Sequence, residues 1–126
     1  MAEVFLGYVE QDARRKPVAV KRLLPQLTTD KEIVKLFVAE AELLLQFNHP
    51  NVVKAHELGQ VGGTYFIAME YVHGASLEAL AERARQQEFE LSLDLLARIG
   101  SDVCDVLGYV HRFASADGSQ RQVIHR

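Results

Sequence analysis

The chain has 126 residues, 48% of them hydrophobic and 25% charged, which suffices for an ordinary apolar core. A formal net charge of −3 gives no reason to expect nucleic-acid binding, and a single cysteine excludes an intramolecular disulfide framework and a paired-cysteine metal site. No apolar run is long enough to span a bilayer and no secretory signal is recognisable, so a cytoplasmic protein is expected.

Residues 3–9, EVFLGYV, are apolar and rich in strand formers, and residues 17–21 alternate between two faces. The polar stretch between them predicts a hairpin turn, with Arg14, Arg15 and Lys16 as a solvated part of it. Thr29, followed three residues later by Glu32, forms a capping box and predicts a helix start. Apolar residues then recur at helical spacing through Ile33, Phe37, Ala41 and Leu44, and through Val34, Val38 and Leu45. The helix should end at Asn48-His49-Pro50, because proline drives its predecessor out of the helical region.

Two strands are predicted at 52–58 and 64–72, joined by GQVGG, where Gly62 and Gly63 can supply the positive φ angles of a tight hairpin. After Gly74 the pattern turns helical. Ser76 is placed to cap a helix running to about Gln86. Residues 91–113 make a long helix with Leu96, Ile99, Val103, Val106 and Val110 on one face. Apolar residues on its other faces (Leu93, Leu95, Leu107) ask for further cover, and Cys104 reads as a packing residue. Asp117-Gly118 predicts a turn and Val123-Ile124 a short last strand. The order is therefore β-β-α-β-β, a glycine-containing connector, then helices.

Three places could carry chemistry. On the strand Pro17 to Lys21, Ala19 and Lys21 share a face, offering a small flat residue beside an ammonium. That suits a planar ring with an anionic tail, although this stretch taken alone favours a solvated lysine at a strand end. Glu40 lies within the apolar stripe of the first helix. A carboxylate in a core without its cation costs about 3–5 kcal/mol, so either Lys21 pairs with it or Glu40 sits at the margin and reaches water. Last, the apolar strand ending in Met69-Glu70-Tyr71-Val72 leaves backbone groups at its end that can hydrogen-bond a flat heterocycle. Met69 itself reads as core filling as readily as anything else.

Val18-Ala19-Val20-Lys21, then Glu40, then NHPNVV at 48–53, then AMEYVHGASL at 68–77, resemble in order and spacing the protein kinases, above all the bacterial serine/threonine kinases of eukaryotic type. The resemblance covers essentially the whole chain. It implies an α+β fold: a kinase small lobe at 1–71 built on an antiparallel sheet with one long helix, a hinge at 72–75, and the first helices of the large lobe at 76–126.

The resemblance also implies roles. Lys21 would hold the α- and β-phosphates of ATP and Glu40 would pair with it. Val4 and Ala19 would pack on the adenine, and Met69 would gate the pocket behind it. The Glu70 carbonyl and the Val72 N–H and C=O would form the hinge contacts, with Ser76 near the ribose. His125 and Arg126 would open the His-Arg-Asp motif. MAEV looks like the end of a glycine-rich loop, so a piece of a longer kinase is expected.

In that reading the parent transfers the γ-phosphoryl group of ATP to protein serine or threonine hydroxyls with Mg²⁺. The resemblance further implies that residues 1–126 lack the catalytic Asp and the Mg²⁺ ligands of the parent, so they are expected to be inactive alone. The alternative is a non-catalytic nucleotide-binding or protein-interaction module derived from a kinase small lobe.

Overall fold

Residues 1–11 and 13–113 are described by the structure, a computed structural model. The expected turn at Asp117-Gly118, the strand at Val123-Ile124, and His125 and Arg126 lie outside the described residues. The chain divides into two compact units, Met1–His73 and Gly74–Arg126.

The first unit opens with strands β1 (Ala2–Gln11) and β2 (Arg14–Leu23), paired antiparallel from Ala2 opposite Leu23 to Gln11 opposite Arg14. Both run further than the hydrophobic pattern suggests, and Arg14, Arg15 and Lys16 belong to β2 rather than to a turn. Just before β2, Ala13 takes a φ of 59°, the left-handed conformation typical of short hairpin loops. Charged residues persist in this part of β2 because it is exposed; the Arg15 guanidinium lies 5.2 Å from the centre of the Tyr8 ring.

After a 3-10 turn at Pro25–Leu27 comes helix α1 (Lys31–Gln46). Its N-cap is Asp30, one residue beyond the expected Thr29. The Asp30 carboxylate accepts the Glu32 N–H at 3.0 Å and the Ile33 N–H at 3.2 Å. A carboxylate satisfies two orphan donors and also meets the positive end of the helix dipole. The helix stops before the proline. Beyond it, Asn51 N–H donates to His49 Nδ1 at 3.1 Å and Val52 N–H to the His49 carbonyl at 3.1 Å. This turn occupies the segment where a strand was expected from Val52.

Strand β3 therefore spans Ala55–Val61 and β4 Thr64–Glu70, ending short of Val72. Their hairpin closes through Gly62 and Gly63, with φ of 57° and 80°. All pairings are antiparallel in a four-stranded sheet of order β1-β2-β4-β3. Helix α1 packs against β3 and β4. The core between them is Leu23, Phe37, Ala41, Ala55 and Ile67, with Phe37, Leu23 and Ile67 fully buried. On the other face of the sheet Val18 and Ala68 are buried, and the Phe66 ring lies over Gly59.

In the second unit, α2 (Leu77–Gln86) is capped by Ser76, whose hydroxyl accepts the Ala79 N–H at 3.1 Å. Helix α3 (Leu93–Arg112) is capped by Ser92. No residue of α3 is buried, and Leu93 and Val103 are 79% and 53% exposed. Cys104, expected to pack, is exposed as well.

Candidate functional site

Directly opposed residues of antiparallel strands present their side chains on the same face. Register therefore sorts the candidates. Lys21 lies between Val4 of β1 and Ile67 of β4; Ala19 lies between Leu6 of β1 and Met69 of β4. These six residues share the sheet face that carries α1, because Ile67 belongs to the core that α1 covers. Val4 and Leu6 are 65% and 54% exposed, so this part of the face is open. Leu6 was not singled out in the sequence. Strand alternation from Val4 and the pairing with Ala19 are the signals that point to it.

Lys21 and Glu40 come together. Nζ of Lys21 lies 2.6 Å from Oε1 of Glu40, joining β2 to α1. Their side chains are 23% and 38% exposed. Glu40 is thus both paired and at the margin of the stripe, which resolves the two sequence possibilities by combining them. Phe37, one turn earlier on α1, places its buried ring 5.9 Å from the same ammonium. The sequence pattern marks Phe37 as core, and only the structure shows that it also faces the lysine.

An ammonium has three donors. With one on Glu40, two remain for an anion, and the lysine side chain is still partly exposed. Beside it, Ala19 is flanked by the apolar side chains of Leu6 and Met69. Met69 packs against the core from the end of β4. This arrangement fits a flat ring carrying a polyanionic tail.

At the end of β4, the Glu70 N–H donates to the Lys54 carbonyl at 2.9 Å, and Glu70 Oε1 accepts the Lys54 N–H at 3.0 Å. Val72 follows, 61% exposed, between Tyr71 and His73, whose rings meet edge to face at 4.6 Å. Ser76 belongs to the second unit, where its hydroxyl is engaged as the α2 cap. A separate surface groove of about 580 Å³ runs beside α1, lined among others by Lys31, Lys35, Val38 and Tyr65, and includes neither Lys21 nor Glu40. Among the described residues no group of three or more His, Cys, Asp or Glu side chains could hold a metal ion, and no helix is long and apolar enough to cross a membrane.

Comparison with known proteins gives a consistent picture. The family model described as protein tyrosine and serine/threonine kinase matches residues 1–126. The tyrosine-protein kinase MasK of Myxococcus xanthus is 34% identical across 100% of this chain, which covers 20% of that protein. The serine/threonine-protein kinase PknA of Mycobacterium tuberculosis is 31% identical over 75% of this chain and 24% of its own length. The serine/threonine-protein kinase PrkC of Bacillus subtilis is 29% identical over 100% of this chain and 17% of its own length. The chain thus spans a quarter or less of these relatives. Among solved structures, the kinase domain of PknI from M. tuberculosis superposes with a TM-score of 0.66 at 29% identity, over 89% of this chain and 43% of that domain.

Proposed function

The chain belongs to the protein tyrosine and serine/threonine kinase family, and from that premise we propose that residues 1–126 form the nucleotide-holding part of a bacterial serine/threonine kinase of eukaryotic type. Its fold is the antiparallel small lobe of a kinase followed by the first helices of the large lobe. The observation that carries the proposal is the Lys21–Glu40 pair: a partly exposed lysine whose ammonium is held at 2.6 Å by a helix carboxylate and keeps further donors for an anion.

In this reading Glu40 orients Lys21, and Lys21 binds the α- and β-phosphate oxygens of ATP. Val4 and Ala19 pack on the adenine, Met69 gates the pocket behind it, and the backbone of Glu70 and Val72 hydrogen-bonds its edge. Ser76 is assigned to the ribose, and His125 and Arg126 to the catalytic loop. Phosphoryl transfer is a matter of positioning and charge neutralisation. The family's Mg²⁺ would neutralise phosphate charge when bound. Through these nucleotide contacts residues 1–126 are expected to bind ATP weakly. The assignment to serine and threonine rather than tyrosine hydroxyls follows PknA and PrkC, against the name of MasK. Because the proposed reaction draws on ATP, the cytoplasmic side is the location proposed for residues 1–126.

The test is an ATP titration of the folded chain beside Lys21→Met. Weak, saturable binding that falls at least about tenfold in the variant, as loss of a charge-assisted contact requires, supports the proposal. A folded chain that shows no ATP binding, or a variant that binds equally well, overturns it.

A further inference from the structure

In a closely spaced antiparallel pair, two opposed residues exchange both of their N–H···O=C bonds. Lys54 and Glu70 meet at the point where β3 and β4 part, and they make only half of that exchange through the backbone. The Glu70 N–H reaches the Lys54 carbonyl at 2.9 Å. The return bond goes elsewhere: the Lys54 N–H donates at 3.0 Å to the Glu70 side chain, at Oε1. The carboxylate has taken the place of its own main-chain carbonyl. The register of β3 against β4 shifts between Ala55 and Glu57, next to Lys54, so the regular ladder is already interrupted at this end of the hairpin.

Resting on the reading of Glu70 as a hinge residue, we propose that its side chain is a positioning residue for nucleotide selection: the carboxylate occupies the Lys54 N–H so that the Glu70 carbonyl stays available to accept the exocyclic amino group of adenine. Without an acceptor on the side chain, the Lys54 N–H closes the ladder onto that carbonyl. The carbonyl then has a competing donor whenever an adenine amino group approaches. A purine with an oxo group at the same position has no donor to offer there, so it loses no hydrogen bond through the change.

The experiment compares ATP and inosine triphosphate, which carries the oxo group, on the full chain. The unaltered chain is expected to prefer ATP. Glu70→Leu should lower that preference by between about twofold and tenfold, the range of one neutral hydrogen bond, mainly through weaker ATP binding. Glu70→Gln keeps an acceptor oxygen and should retain the preference. Glu70→Ala removes the acceptor with less bulk and serves if Glu70→Leu does not fold. An unchanged preference in both acceptor-free variants overturns the inference alone, as does its loss in Glu70→Gln. A folded, unaltered chain that binds neither nucleotide overturns the underlying functional reading together with it.

Discussion

The ammonium of Lys21 is held from two sides of a single helical turn: Glu40 at 2.6 Å and, three residues earlier, the ring of Phe37 with its centre 5.9 Å away. One residue thus fills the core between sheet and helix and faces the charged group at its edge. The two duties separate by substitution. Phe37→Ala opens a cavity at a fully buried position and should cost about 3–5 kcal/mol, read by urea denaturation. Phe37→Leu keeps most of the volume and should leave a folded protein. Its loss of the ring face should weaken ATP binding by a few-fold, the scale of a cation–π contact of about 0.5–1 kcal/mol.

Removing the charge itself should do the reverse. With 23% and 38% of the two side chains exposed, the Lys21–Glu40 pair contributes no more than about 1 kcal/mol to folding. Glu40→Gln and Lys21→Met should each shift the denaturation midpoint only slightly, while nucleotide titration shows the larger effect. A loss of several kcal/mol in either variant would mean that the pair is structural.

At the start of α1, Asp30→Ala should destabilise the first unit by about 1 kcal/mol, because two backbone N–H groups lose their acceptor. Thr29→Ala should be close to neutral. Thermal melts of the two variants decide between them, and equal losses would contradict the Asp30 cap.

That cap shows how far local pattern carries. Thr29 and Asp30 are both good capping residues one position apart, and the Thr-x-x-Glu spacing favours the wrong one. The strand limits went astray for related reasons. Arg14 to Lys16 look like loop by composition, yet an exposed strand tolerates charge, and the left-handed backbone at Ala13 just before them leaves no mark in that composition. Val52 looks like strand by propensity, yet His49 captures the next backbone donors for a turn. What was legible were long-range consequences of periodicity: α1 with its stripe, and Ala19 and Lys21 on a common face. What was not legible depends on register between strands remote in sequence, including Leu6 beside Ala19, and on a side chain standing in for a backbone group, as Glu70 does toward Lys54.

The two hairpin loops of the sheet meet the same backbone demand with different residues, so opposite substitutions should have opposite effects. Ala13, at φ 59°, is a residue with a Cβ in the left-handed region, a conformation that costs about 1–2 kcal/mol without glycine. Ala13→Gly should therefore stabilise, by about 0.5–1 kcal/mol once the greater freedom of glycine in the unfolded chain is set against the gain. Gly63, at φ 80° with nothing within 4 Å of an added Cβ, is constrained by its backbone alone. Gly63→Ala should destabilise by a similar amount without disturbing any neighbour. Denaturation curves of the pair would show shifts of opposite sign; a stabilised Gly63→Ala would refute the backbone account.

Gly59 answers to the opposite constraint, space rather than φ. It lies directly across from Phe66 on the sheet face away from α1, and a Cβ built on it would fall 2.3 Å from Cζ and 2.6 Å from Cε1 of that ring. The ring replaces the side chain that the strand lacks, covering a backbone that glycine would otherwise leave bare. Strand propensity taken alone favours Gly59→Val, since β-branched residues suit a pleated surface. The contact distances decide against it. The ring must leave its place, expose apolar area and lose its packing, a penalty of about 1–3 kcal/mol that exceeds the propensity gain of about 1 kcal/mol or less. Combining Gly59→Val with Phe66→Thr removes the collision and should recover part of the loss. A double-mutant cycle with clear coupling between the two positions is the expected result, and additive losses would show that the ring does not depend on the glycine beneath it.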